Sequence, residues 1–239
     1  MKHRGKHPQD KQLFGQQTQL WSLQEAVRDL SFLLDRGYAE KSASELVGNR
    51  YRLRKRQKKA LLLMSSGQEA QANRLNKQLP AEMLAGKILY IDGYNLLIGM
   101  EAALSKGYLL ECEDGQIRDL ASVHGSYKKV METQKAIEIM GQALLDLKVE
   151  KAHWIFDRPI SNSGKLKQEM LQIAQAKNWP WEVELAFNSD KELVELNQLT
   201  ASSDAWILDR VDRSFNFMAY LVRNYVPDAE IISLYEMAE

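Results

Sequence analysis

The stretch Lys87-Ile88-Leu89-Tyr90-Ile91-Asp92-Gly93-Tyr94-Asn95 decides the fold class. A short apolar run ends in an aspartate and a glycine, which reads as a buried strand opening into a turn at its carboxyl end. The pattern returns three times downstream. Trp154-Ile155-Phe156 ends in Asp157, Trp181 to Phe187 alternates and runs into Asn188-Ser189-Asp190, and Leu199 to Ser203 leads to Asp204. Helical spacing fills the intervals over 127–147 and 164–177, and Val211, Phe215, Met218 and Val222 mark a further helix. Ile231-Ile232-Ser233-Leu234 reads as a last strand. Strands alternating with helices predict an α/β domain over 87–239, with a mainly parallel sheet and helices on both faces. Asp114-Gly115 between two extended stretches predicts a β-hairpin inserted into that scheme.

Ahead of this domain the pattern is helical and basic. Residues 1–17 are polar and read as a loose tail. Leu20, Leu23, Val27, Leu30 and Leu34 recur at steps of 3 and 4, predicting an amphipathic helix that stops at Gly37. Ser42 to Val47 predicts a second, shorter helix, and 50–64 a third with Leu53, Ala60, Leu61 and Met64 on one face. Arg50, Arg52, Arg54, Lys55, Arg56, Lys58 and Lys59 put seven basic residues into ten positions of that segment. Phosphates would relieve their mutual repulsion, each releasing counterions, so 18–64 reads as a small basic nucleic-acid-binding domain. A solvated helix face is the plainer alternative. Residues 65–86, with Ser-Ser-Gly, Gln, Asn and Pro80, read as a linker.

Composition bounds the rest. The 239 residues are 45% hydrophobic and 27% charged, which excludes wholesale disorder. No apolar run approaches the ~18–20 residues that cross a bilayer, so no membrane partner is expected. The basic N-terminal dozen residues lack the apolar core of a secretory signal, so the expected location is cytoplasmic. Cys112 is the single cysteine, which rules out an internal disulfide, and no Cys/His pair has zinc spacing. The zero net charge hides a split: residues 1–87 carry 17 Lys/Arg against 8 Asp/Glu, and 88–239 carry 15 against 24. Either the basic half meets nucleic acid or the two halves attract each other.

Asp92, Asp157, Asp190 and Asp204 each fall at or just past the end of a predicted strand. In an open parallel sheet those ends converge on one crevice, where ligands bind. Clustered carboxylates repel unless neutralised, and Mg²⁺ or Mn²⁺ does this with oxygen ligands while keeping waters for a substrate phosphate. A single aspartate there also suits a helix cap. Tryptophans 154, 179, 181 and 206 read as core, and Trp21 as packing on the first helix.

Ile91-Asp92-Gly93-Tyr94-Asn95 resembles the opening motif of PIN-like nucleases of the NYN type, whose first strand ends in an Asp-Gly-x-Asn turn. Phe156-Asp157, Asn188-Ser189-Asp190-Lys191-Glu192-Leu193 and Ser202-Ser203-Asp204 resemble the family's later acidic segments, in the family's order. The whole chain is similar to an uncharacterised two-domain family in which a basic helical domain precedes a PIN-like domain. The resemblance implies a PIN-like fold, with Asp92, Asp157, Asp190 and Asp204 as ligands of Mg²⁺ or Mn²⁺ or as holders of metal-bound water. It implies that Asn95 holds Asp92 or a substrate phosphate, with Glu192, Glu195 and Asp209 as reserve acids. The implied activity is endoribonuclease cleavage; the residues themselves do not separate RNA from DNA.

The chain departs from that pattern in an insertion at 107–127, where Arg118 and His124 would hold a scissile phosphate or stabilise its charge. Ser161, Asn162 and Ser163, ahead of a predicted helix, are candidate phosphate binders through their amides. Two other classes stay open. One is a non-catalytic RNA- or ribosome-binding adaptor on the same fold. The other is a small-molecule phosphohydrolase, disfavoured because no Gly-rich phosphate loop occurs and Tyr94 stands where an aspartyl-phosphate phosphatase would carry a second acid.

Overall fold

The computed structural model describes residues 3–5, 7–121 and 126–233. Strand β1 (Ile88–Asp92) lies inside the sheet, with Leu89 and Ile91 fully buried. It pairs in parallel with β4 (Lys151–Asp157) on one side and β6 (Thr200–Ala201) on the other, and β5 (Trp181–Ala186) extends β4. The order β5-β4-β1-β6 is parallel throughout. Asp92 stands opposite Ile155, and Asp157 opposite Ala186, so the carboxyl ends share one edge.

One face of the sheet presents Leu89, Ile91, Trp154, Phe156, Trp181 and Val183 to the main core. Helices α6 (Gly93–Leu104), α7 (Thr133–Asp146), α8 (Ser163–Lys177) and α11 (Phe217–Tyr225) cover it with residues such as Leu97, Ile137, Met170 and Leu221. On the other face Ile155 and Ala186 meet Leu193 of α9 (Ser189–Leu196) and Ile207 of α10 (Ala205–Arg210). Helices therefore pack on both faces, as the alternation predicts.

The hairpin is present. Strands β2 (Leu109–Glu111) and β3 (Ile117–Asp119) pair antiparallel around a turn in which Gly115 has φ +73°. Strand β7 (Ile231–Ile232) adds to the free edge of β2, so the last strand joins this second sheet instead of the main one. Leu234, expected at its end, lies outside the described residues.

Among the described residues up to Met64 lie α1 (Asp10–Phe14), α2 (Gln17–Asp35), α3 (Glu40–Arg50) and α4 (Lys55–Met64). The first corrects the loose-tail expectation, since Leu13 and Phe14 are buried among Leu23, Val27 and Leu61. The third predicted helix begins at Lys55, not at 50. Arg50 ends α3, Arg52 takes a left-handed φ of 51°, and Arg54 caps α4. Leu53 is buried just ahead of that helix. The expected linker holds a further helix, α5 (Gln68–Lys77), and a 3-10 turn at Ala81–Met83.

The helical core continues into Leu110, Cys112, Leu120 and Ile232, so the hairpin sheet is the platform on which the N-terminal helices pack. Trp154 and Trp181 are buried as expected, but Trp21 is 56% exposed and Trp206 41%. Composition alone does not tell a core ring from one on a helix's outer face.

Candidate functional site

Asp92 ends β1 and caps α6, its Oδ1 accepting the Asn95 N–H at 3.4 Å. Gly93 is needed behind it, because a Cβ there would stand 2.5 Å from the Phe156 ring. Oδ2 of Asp92 accepts from the Ser202 hydroxyl at 2.8 Å, and the same hydroxyl oxygen accepts the Asp204 N–H at 3.0 Å. Oδ1 of Asn95 accepts both the Ser203 N–H and the Ser203 hydroxyl at 2.9 Å. The turn after β6 is thereby bolted to the turn after β1. The Asn95 Nδ2 group has no hydrogen-bond partner among the described residues.

Asp204 caps α10, with Oδ1 accepting the Trp206 N–H at 2.8 Å and the Ile207 N–H at 3.3 Å. Oδ1 of Asp157 accepts the Ser189 N–H at 2.9 Å, which ties the end of β4 to the start of α9 and so to Asp190. Burial pushes the Asp92 carboxyl up to about 8, with Asp190 and Asp204 adding to the shift. Asp190 is pushed up from the ordinary carboxylate value by desolvation first, then by the charges of Asp204 and Asp157. Asp92 and Asp190 thus sense their acidic neighbours across the strand ends.

None of the four has an ion-pair partner among the described residues. Asp92 is buried and the other three are partly or fully exposed; an uncompensated buried carboxylate is costly, and a cation would relieve it. As placed, no three Asp, Glu, His or Cys side chains among the described residues stand close enough to enclose a metal ion. Mg²⁺ does not require an all-protein cage, since it keeps several waters and takes one or two carboxylates. The hard-oxygen donors suit it. One more polar group waits nearby: the buried Tyr94 hydroxyl has no partner, and burial followed by the Asp157 charge pushes it up to about 12.

A cleft of about 660 Å³ opens beside Asp204, while Asp92, Asp157 and Asp190 are not among its lining residues. Asn95, Ser203 and Asp204 form its sheet side, Lys59, Asn73 and Arg74 its helical side, and Arg118 and Asp119 line it from β3. The N-terminal helices therefore wall this cleft, which meets the acidic edge at Asp204.

Arg118 is committed to structure. It donates to Asp114 Oδ1 at 2.9 Å and Oδ2 at 2.5 Å, to the Leu63 carbonyl at 3.0 Å and to the Ser203 carbonyl at 2.7 Å. Arg74 pairs with the same Asp114 at 2.7 Å and with Asp209 at 2.6 Å, so Asp209 is not a spare acid. Sequence reasoning missed Arg74, which no local pattern distinguishes from its polar neighbours. His124 lies outside the described residues.

In the 161–163 loop, Ser161 accepts the Tyr127 N–H, Asn162 donates to the Tyr127 carbonyl at 2.8 Å, and the Ser163 hydroxyl donates to the Arg158 carbonyl at 3.1 Å. These groups hold the 126–127 segment and the start of α8.

The basic segment divides in two. Arg56 donates to Asp10 at 2.5 and 3.0 Å, and Lys59 to the Leu120 and Ala121 carbonyls, so both face the hairpin sheet. Lys58 donates to Asn49 at 2.7 Å. Arg52, Arg54 and Lys55 are exposed, as is Arg50, which stands 3.5 Å from Asp29.

Residues 81–220 match the family described as a domain of unknown function, DUF5616. The chain belongs to that family. The DUF5616 match spans the whole sheet edge that carries the acids, and residues 22–77 match a second family, described as a protein of unknown function, DUF434. The division between the matches falls after α5, which thus goes with the preceding helices. A similar protein is "Uncharacterized protein MJ0935" of Methanocaldococcus jannaschii, 29% identical over 187 residues, covering 78% of this chain and 89% of that protein. No solved structure matches the chain. No helix among the described residues is long and apolar enough to cross a membrane.

Proposed function

We propose that this chain is a metal-dependent endoribonuclease with a PIN-like domain, hydrolysing phosphodiesters at the four-aspartate crevice. One observation carries the reading: four carboxylates gather at or just past four strand ends with no cationic partner among the described residues, and their charges push Asp92 and Asp190 up. Asp92, Asp190 and Asp204 would hold Mg²⁺ or Mn²⁺, and Asp157 would orient a bound water. Such an ion supplies a polarised phosphoryl oxygen and an activated water. The free Nδ2 of Asn95, in the cleft beside Asp204, donates to a substrate phosphate. Arg52, Arg54 and Lys55 meet phosphates farther along the strand, and their contribution weakens with salt.

A second reading, an RNA-binding adaptor without turnover, is favoured by the internal commitment of Arg118 and Ser163. Cleavage of end-labelled structured and single-stranded RNA in Mn²⁺, Mg²⁺ or EDTA separates the two. The nuclease reading expects metal-dependent cutting by the wild type that Asp157→Asn abolishes. Binding without cutting by either protein supports the adaptor, and equal cutting by both removes Asp157 from the site.

A further inference from the structure

Two aromatic rings stand in solvent at the edge that carries the acids. Phe187 directly follows β5 and is 82% exposed. Trp206, in the first turn of α10 after β6, is 41% exposed. Strands β5 and β6 are the two outer strands of the main sheet, with β4 and β1 between them. Along the carboxyl edge the order is therefore Phe187, Asp157, Asp92, Trp206. Three interstrand spacings make that row about 14 Å wide.

The backbone is fixed close to each ring, and a cation stacks on one of them. The Trp206 N–H bonds to Asp204, and the Arg210 guanidinium lies 4.3 Å from the Trp206 ring centroid. The Arg158 N–H, next after Asp157, donates to the Ala186 carbonyl at 2.7 Å, which fixes the backbone of the exposed Arg158 against the residue before Phe187. A protein partner would be served by a contiguous apolar patch. Here the rings are separated by carboxylates, and an arginine stacks on the Trp206 ring. That alternation suits a strand whose bases stack on rings while its backbone follows the charged groups. A duplex keeps its base faces stacked inside and has nothing to offer the rings.

We infer that Phe187 and Trp206 are stacking platforms for unpaired bases on either side of the phosphate held at the aspartates, so that the crevice takes single-stranded in preference to double-stranded RNA. The inference rests on the nuclease or RNA-binding reading above. The test is fluorescence anisotropy with a labelled single-stranded oligoribonucleotide, its duplex, and an equal-length strand lacking bases, using wild type, Phe187→Ala, Trp206→Ala and the double variant. Both side chains are exposed, so the fold is retained, and circular dichroism melts verify it.

Each substitution is expected to weaken single-strand binding ~5- to 150-fold, with no change for the duplex or the baseless strand. Unchanged single-strand affinity in the double variant overturns the inference, as does an equal loss for the baseless strand. Cleavage by the wild type is scored separately. Ring-dependent binding without cutting keeps the platforms and defeats the nuclease, whereas cutting and binding that ignore both rings defeat only the platforms. Absence of binding to all three probes defeats both.

Discussion

Arg118 donates its Nε proton to the carbonyl of Ser203 at 2.7 Å, joining the hairpin to the turn that presents Asp204. Its remaining bonds reach Asp114 and the Leu63 carbonyl at the end of α4, so one buried guanidinium holds the helices, the hairpin and the acidic crevice together. Replacing it with methionine takes a donor from two carbonyls and leaves Asp114 with Arg74 and the Gln116 N–H. A urea titration of Arg118→Met is expected to show a loss of about 3 kcal/mol, the scale for breaking a buried ion pair.

Phe14 is 1% exposed among Leu23, Val27 and Leu61, although the sequence around it is polar. Phe14→Ala is expected to cost about 3–4 kcal/mol in the same titration, the range for emptying a buried aromatic site. No measurable loss would return the N-terminal segment to a loose tail.

Burial pushes Asp119 up to about 6, against the opposing Ala121 N–H and the nearby Lys59. A carboxyl raised in the folded state favours folding below its ordinary pKa near 4, and that contribution disappears as pH rises through about 6. Asparagine at this position keeps the acceptor for the Ala121 N–H without the charge. Thermal melts should therefore coincide for wild type and Asp119→Asn near pH 3.5. The variant should gain on the wild type between pH 4 and 6 and hold a constant lead above it. Parallel curves across this range would contradict the buried charge.

Manganese is expected to raise the wild-type melting temperature at pH 8, by an amount equivalent to about 2.7 kcal/mol when the ion is at 100 times its dissociation constant. The Asp92→Asn, Asp204→Asn double variant keeps the caps of α6 and α10, because asparagine caps as well as aspartate. It should fold and ignore the ion. Equal shifts in both proteins would place metal binding elsewhere.

The elements of the α/β domain were legible because each strand is a short apolar run stopped by a turn residue, as at Ile91-Asp92-Gly93 and Phe156-Asp157. The hairpin was legible from Asp114-Gly115 for the same local reason. The helix boundary at Lys55 was not, since Arg50 and Arg52 suit a helix by composition and only the left-handed turn at Arg52 separates α3 from α4.

Side-chain commitments lay beyond the sequence altogether. Arg56 and Arg54 look alike in a basic run, yet one is bonded to Asp10 and the other is exposed. Trp154 and Trp206 both sit near strand ends, yet one is in the core and the other faces solvent. Local pattern determined the strands, their order of appearance and the aspartates at their ends, because those depend on residues a few positions apart. Tertiary structure alone decided that the 107–127 insertion, through β2 and β3, serves as the floor for the N-terminal helices, and that Arg74 and Arg118 share Asp114. It also decided that the helices wall the cleft that meets the acidic edge at Asp204. These relations join residues far apart in the chain, as Leu23 and Ile232 are in one core, and only packing brings them together.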